Sequence, residues 1–109
     1  MLSMLQEKGK YASATQNRRL VWEKVMWPLV LELNDVSFTV EQYKKKRDDI
    51  CKELNIPPSR IAGGFVSLLL KGILYKEKKL YSIHYRLIPY LRLSASCDYS
   101  TAVREASTK

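Results

Sequence analysis

The sequence predicts an α+β fold in which three helices and one very short strand precede a β-hairpin. Apolar residues recur every three or four positions in three segments before residue 72, which is the spacing of helices with one buried face. Residues 81–87 instead alternate between apolar and polar side chains, as in a half-buried strand. With 109 residues, the chain has the length of one domain. We expect that domain at 17–93, between a flexible N-terminal arm, 1–16, and a flexible C-terminal tail, 94–109.

The first helix is expected at about residues 18–33, with Thr15 or Asn17 as its N-terminal cap. Pro28 should kink this helix or restart it after Trp27, because proline has no N–H to donate. Apolar residues surround almost the whole helix, which is more apolar surface than one small core can use. This surplus favours a homodimer, with packing inside the core as the alternative. The residues expected at the dimer interface are Leu20, Trp22, Trp27 and Leu31.

The second helix follows a turn and a very short strand at residues 36–38. Thr39 is expected to cap this helix, with Gln42 as its partner in a capping box. Asn55 should end it. The run "YKKKRDD" inside the helix is expected to form a solvated outer face.

The third helix is expected at about residues 59–71, after the tight turn "NIPPSR". Ser59 can serve as its cap, and Gly72 fits the left-handed residue that follows a helix. Two adjacent glycines lie inside this helix, and each destabilises a helix by about 1 kcal/mol relative to alanine. On a helical wheel Gly63 faces away from the core, whereas Gly64 lies at the edge of the core, where it would allow close approach to the second or first helix.

Two β-prone segments, "ILYKE" and "KLYSIHYRL", are expected to form a hairpin whose tip lies near Glu77, Lys78 and Lys79. Pro89 should end the second strand or start a short final helix. His84 is expected on the outward face of the strand. The tyrosines of this region alternate with polar residues, which favours packing over stacking on nucleic-acid bases.

Positive charge is concentrated in one part of the chain. The formal net charge is +8, and between Pro57 and Cys97 the only acidic residue is Glu77. The cations of that segment are Arg60, Lys71, Lys76, Lys78, Lys79, Arg86 and Arg92. Such a concentration is the electrostatic footprint of a surface that binds a polyanion. A solubilising surface is the alternative.

The order of the predicted elements resembles the winged helix-turn-helix family, which is found in bacterial and archaeal transcription regulators and in proteins of archaeal viruses. The resemblance covers about residues 18–87 and is carried by "FTVEQYKKKRDDICKELNIPPSRIAGGFVSLLLKGILYKEKKLYSIHYRL". Within it, "SRIAGGFVSLLLKGILYK" looks like a recognition helix that ends in Leu-x-x-Gly before the wing. The double glycine and the Pro-Pro turn depart from the family's pattern.

The resemblance implies a transcriptional regulator that binds specific sequences of double-stranded DNA without a cofactor. The recognition helix, 59–71, would enter the major groove, and the wing, 75–82, would follow the backbone or the minor groove. Arg60 would bond to a guanine edge, and the missing side chain of Gly63 would let the helix approach the bases, with internal packing as the alternative. The residues expected to contact DNA are Ser59, Arg60, Gly63, Ser67 and Lys71 on the helix and Lys76, Lys78 and Lys79 on the wing.

Two other functions fit the same fold. A winged helix can serve as a protein-interaction module in a larger assembly, because a fold does not determine a function. The two glycines and the apolar residues Val66 and Leu70 near the outer face of the third helix favour this alternative. Non-specific coating of nucleic acid is a third possibility, and it predicts similar affinity for all sequences.

The sequence argues against an enzyme, because no phosphate-binding glycine loop, metal-ligand spacing or activated nucleophile is recognisable. Cys51 and Cys97 are too few for a zinc site, and the sequence leaves open whether either forms a disulfide bond. No small-molecule ligand or membrane association is expected. The opening "MLSML" is too short for a signal-peptide core, which predicts a cytoplasmic protein, associated with the nucleoid or, if viral, in the host cytoplasm.

Overall fold

The computed structural model describes residues 15–107 and shows an α+β fold with five α-helices and one three-stranded antiparallel sheet in that part of the chain. Helix α1 is α-helical at 15–20, π-helical at Val21–Met26 and α-helical again at Trp27–Leu33. The following elements are β1 (Ser37–Phe38), α2 (Val40–Leu54), α3 (Ala62–Leu70), β2 (Leu74–Glu77), β3 (Leu80–Ile83), α4 (Ile88–Arg92) and α5 (Tyr99–Ser107). The sequence predicts the hairpin as the C-terminal part of a three-helix domain, whereas in the structure α4 and α5 follow it.

Pro28 explains the change of geometry inside α1. The Trp27 N–H donates to the Trp22 carbonyl, five residues earlier, at the end of the π-helical segment. Pro28 then occupies the first turn of the last α-helical segment, where its missing N–H removes the least bonding. The helix continues through this point, and the expected kink or restart after Trp27 corresponds to a change from π-helical to α-helical geometry at Trp27.

Local capping signals are confirmed at both ends of α2 and at the C-terminal end of α3, whereas Ser59 lies inside a 3₁₀ turn and does not cap α3. The Gln42 N–H donates to the Thr39 side chain at 3.1 Å, and the Thr39 N–H donates to the Gln42 side chain at 2.8 Å. Asn55 ends α2 with φ of 58°, and Gly72 follows α3 with φ of 77°. The start of α3 differs from the prediction, because Pro58–Ile61 form a 3₁₀ turn and the α-helix begins only at Ala62.

The sheet has the strand order β1-β3-β2, so the last strand of the hairpin lies in the centre. Phe38 pairs with Tyr81, and Leu74 pairs with Ile83. The predicted alternation through residue 87 is wrong beyond Ile83. There the His84 N–H still donates to the Ile73 carbonyl, but the chain then turns into the 3₁₀ helix Tyr85–Leu87.

The two tryptophans of α1 belong to the core of this chain. Trp22 is fully buried and Trp27 is 4% exposed. Their indole N–H groups donate to the carbonyls of Cys97, at 2.8 Å, and Ala95, at 2.9 Å. The expectation that Trp22 and Trp27 lie at a dimer interface is therefore wrong, because both side chains are enclosed by the chain's own C-terminal part. Leu20 and Leu31, the other two residues of that expectation, are partly buried against the same core.

The C-terminal segment is ordered as helix α5, which corrects the prediction of a flexible tail from residue 94. Tyr99 and Ala102 are buried against the core. The Thr101 N–H donates to the Asp98 carboxylate at 2.8 Å, and the Tyr99 N–H donates to Glu23 of α1 at 2.8 Å. The predicted arm, 1–16, lies outside the described residues except for its last two positions, which are helical.

Both cysteines are free and buried. Burial raises the pKa of the Cys97 thiol to about 11 and also raises that of Cys51. Both groups therefore remain protonated at neutral pH, and the thiolate needed for nucleophilic or redox chemistry is scarce.

Candidate nucleic-acid interface

The inner face of α3 is fixed by an aromatic cluster. The ring of Phe65 lies 4.3 Å from that of Tyr43 in α2 and 5.0 Å, edge-on, from that of Tyr81 in β3. Tyr81 in turn stacks on Phe38 at 5.9 Å. Such ring pairs add about 0.5–1.5 kcal/mol each beyond their buried area. The cluster therefore holds α3 against both α2 and the sheet, and burial raises the pKa of Tyr43 to about 12, so that its ring stays neutral.

The outer face of α3 is open to solvent in the part of the chain that the structure describes. Exposed side chains occur at Arg60, Val66, Leu70 and Lys71, and Gly63 is exposed between them. Leu70 is 82% exposed and Val66 is 53% exposed. No described segment of the chain crosses this face, so it can meet a partner without rearrangement of those residues.

The two glycines of α3 have different surroundings. A methyl group built on Gly63 would meet no atom within 4 Å. One built on Gly64 would lie 2.6 Å from Val21 Cγ2 and 3.1 Å from the Asn17 carbonyl oxygen. Gly64 therefore permits the close approach of α3 to α1, whereas Gly63 leaves a gap on the exposed face.

Alanine substitutions at the two glycines are expected to have opposite effects on the free energy of unfolding. Gly64→Ala should lower it by about 1–2 kcal/mol, because overpacking against Val21 exceeds the higher helix propensity of alanine. Gly63→Ala should raise it by up to about 1 kcal/mol, because the new methyl group meets open space. Urea unfolding of both variants measures the difference. An increase for both would contradict the tight contact at Gly64.

The turn before α3 is tied to the first helix. The Asn17 side-chain amide donates to the Arg60 carbonyl at 2.8 Å, and Ile61 beside it is fully buried. The Arg60 backbone is thus held, while its side chain remains exposed. Sequence reasoning missed this use of Asn17, because the two residues are 43 positions apart and only the fold brings them together.

The hairpin tip carries the lysines that were predicted to form a wing. Lys78 has φ of 59° in the turn, and Lys78 and Lys79 are both exposed. The Lys76 ammonium lies 5.6 Å from the centre of the Tyr81 ring, a cation–π distance. Because Tyr81 also contacts Phe65, Lys76 lies on the side of the sheet that faces α3.

Cations of this region differ from those of α2 in their partners. On α2, Lys45 pairs with Asp49 at 3.9 Å, Lys46 with Glu32, and Arg47 with Asp48 at 2.9 Å. Among the described residues, by contrast, no ion pair involves the cations of α3 and the hairpin. These cations are Arg60, Lys71, Lys76, Lys78 and Lys79. Within residues 15–107, three of the five cations of α2 are thus paired with acids, whereas those of α3 and the hairpin are not.

The remaining predicted contact residues lie on α3 or directly beside its ends, and their exposure differs. Ser59, in the 3₁₀ turn, is exposed, whereas Ser67 is half-buried. Lys71, at the C-terminal end of α3, is exposed. Arg60, Gly63 and Lys71 thus share an accessible helix surface, and Ser67 is the least accessible of the predicted set.

A cleft lies between three other elements, namely the 3₁₀ turn that follows β3, helix α4 and helix α5. It has a volume of about 500 Å³. Glu105 is part of its lining and accepts hydrogen bonds from the Tyr90 hydroxyl at 2.7 Å and from Arg86 at 3.4 Å. These bonds lower the pKa of the Glu105 carboxyl, and the bond from Tyr90 has the larger effect. The polar groups of this cleft therefore pair with one another.

Within residues 15–107, no group of three or more His, Cys, Asp or Glu side chains is placed to hold a metal ion. Of the helices in that range, none has both the length and the apolar character required to cross a bilayer. Comparisons of the chain with protein-family models, with curated proteins and with solved structures find no match.

Proposed function

We propose that this protein is a sequence-specific double-stranded DNA-binding protein of the winged-helix type that acts as a transcriptional regulator. The observation that carries the proposal is the open outer face of α3, which lies between exposed cations without ion-pair partners in the described chain. The element order and the strand order β1-β3-β2 are compatible with a hairpin that serves as a wing beside a recognition helix.

In this proposal α3 lies in the major groove, which is about 12 Å wide and admits one helix. Arg60 donates two hydrogen bonds to a guanine edge, and its backbone is held for this purpose by Asn17. Lys71 contacts a phosphate at the other end of the helix. Gly63 allows the helix axis to approach the bases, because no side chain separates them at that position.

The hairpin supplies affinity without selecting sequence. Lys78 and Lys79 contact phosphates from the tip, and Lys76 does so from the strand. Each neutralised phosphate releases counterions, so binding weakens as the salt concentration rises.

Binding as a homodimer is part of the proposal, but its interface must be sought outside the buried tryptophans. Tyr85 and Leu93 are 60% and 78% exposed, and both line the cleft that also contains Glu105. Apolar side chains with this exposure are available to a second copy, whereas Trp22 is not. A palindromic sequence enriched from a random DNA pool would establish dimeric binding and sequence choice together.

The salt dependence of duplex binding tests the proposal. With four phosphate contacts for each bound copy, from Lys71 and the three hairpin lysines, log K should fall with log salt with a slope of about −3.6 per copy. The variant Lys78→Ala with Lys79→Ala should reduce the magnitude of that slope by about 1.8 per copy. Fluorescence anisotropy with a labelled duplex over a salt series measures both values.

The matched control is Lys45→Ala with Lys52→Ala, which removes the same charge from exposed positions of α2. It should leave the slope unchanged. If the affinity of the unmodified protein for duplex DNA did not change between low and moderate salt, the DNA-binding proposal would be wrong. If both variants reduced the slope equally, the hairpin would not act as a wing.

A protein-interaction module is the second candidate function, and the exposed Val66 and Leu70 favour it. It predicts co-purification with a partner protein and no salt-dependent binding to duplex DNA. The same titration therefore separates the two candidates.

A further inference from the structure

The open face of α3 is apolar between its charged ends. Val66 and Leu70 are one helical turn apart and both point to solvent, with exposures of 53% and 82%. Gly63, one turn earlier, adds no side chain. Arg60 precedes this stripe and Lys71 follows it, and both are exposed. The face thus presents two aliphatic side chains bracketed by cations.

The charges at both ends of the stripe select a polyanion as the occupant. A duplex places phosphates on both sides of an uncharged groove floor, which matches cations that flank an apolar centre. The hairpin lysines extend the positive region beyond the helix. The inference therefore rests on the proposed function and concerns which bases the helix meets.

Aliphatic side chains have one favourable partner on the floor of the major groove. That partner is the C5-methyl group of thymine, because the other groups at the base edges, apart from the smaller C5–H of cytosine, are hydrogen-bond donors or acceptors. An apolar side chain placed against such a donor or acceptor removes its water and offers no bond in return. Contact with a thymine methyl group is therefore favoured, and contact with a guanine–cytosine pair is penalised.

We infer that Val66 and Leu70 read thymine methyl groups, so that the preferred site contains A·T pairs next to the guanine contacted by Arg60. The four helical steps from Val66 to Leu70 span about 6 Å along the helix, or about two base steps. Arg60 lies about 10 Å before Val66, or about three base steps. The recognised bases of one half-site thus lie within about five steps.

Replacement of thymine by uracil in a site selected from a random pool tests this inference. Uracil lacks only the methyl group and keeps the base pairing, so the contact is removed without another change to the groove. Affinity of the full-length protein should fall about fourfold for each contacted thymine, because a buried methyl-sized group contributes about 0.8 kcal/mol. Uncontacted thymines should give no change.

A double-mutant cycle assigns the contact to a residue. In Leu70→Ala, uracil at the position read by Leu70 should no longer lower the affinity. Leu54→Ala is the matched control, because Leu54 is 44% exposed but lies at the end of α2, and it should retain the full uracil effect.

Each outcome decides between the inference and the function on which it rests. Tight duplex binding with no uracil effect, or selected sites without A·T pairs, would overturn the inference and leave the proposed function intact. Absence of duplex binding would overturn both. Loss of a protein partner in Leu70→Ala, with DNA affinity unchanged, would assign the stripe to a protein interface instead.

Discussion

A chain that ends after Leu93 is expected not to fold. The truncation removes the carbonyls of Cys97 and Ala95, which accept the indole N–H groups of Trp22 and Trp27, respectively. A buried donor left without a partner destabilises the fold by about 1–3 kcal/mol, and the apolar area under α5 would also become exposed. The sum, about 5 kcal/mol or more, reaches the total stability of a small domain. Circular dichroism during heating measures the effect, and the truncated chain should show no cooperative transition.

Two substitutions in the full chain separate the docking of α5 from the shortening of the chain. Ala102 is fully buried, whereas Ser100 on the same helix is exposed. Ala102→Asp should destabilise strongly because it buries a carboxylate without a partner. Ser100→Asp should be close to neutral. A truncated chain with an unchanged melting transition would restore the view that the tail is flexible.

Trp22→Ala is expected to lower the free energy of unfolding by about 3–5 kcal/mol. Trp22 is fully buried, its ring centre is 5.6 Å from that of Trp27, and its N–H is bonded to Cys97. Urea unfolding monitored by circular dichroism gives the value. Trp22→Phe keeps most of the apolar volume but removes the donor, so it should lose about 1–3 kcal/mol.

The same variants distinguish a core tryptophan from an interface tryptophan. If Trp22 lay between two copies of the chain, Trp22→Ala would give a stable monomer, with a change in size-exclusion volume and little change in unfolding. Loss of stability at a constant molecular mass supports its place in the core of one chain.

Signals that depend on adjacent residues were predicted well from the sequence. The capping box of Thr39 and Gln42 and the left-handed Gly72 each involve a few neighbours, so local chemistry determines them. The orientation of the two glycines in α3 followed from helical spacing alone. Elements defined by such short-range patterns could therefore be placed correctly to within a few residues.

The C-terminal helix could not be predicted, because its attachment depends on groups that a sequence pattern hides. Its acceptors for the tryptophans are backbone carbonyls, which every residue possesses. Its buried side chains include Ala102, whose small size gives little apolar signal. Composition alone does not distinguish burial within a chain from burial between chains, so the apolar surplus of α1 is as compatible with a second copy as with the C-terminal segment that covers it.

The residue types of the candidate site could be predicted from the sequence, but the solvent exposure of its side chains could not. The basic segment and Arg60 could be identified from charge, but the half-buried position of Ser67 and the bond from Asn17 required the fold. The pairing of three α2 cations with nearby acids also required the fold, as the contact of Lys46 with Glu32 of α1 shows.

The π-helical turn at Val21–Met26 sets the angular offset between the two ends of α1. Asn17 precedes this turn and bonds to Arg60, just before α3. Trp27 follows the turn and bonds to Ala95 of the C-terminal segment. Because one residue corresponds to about 100° of helical rotation, removing a single residue from the turn would swing Asn17 away from Arg60. The helix thus tolerates changes of side chain at its exposed positions more readily than any change of its length.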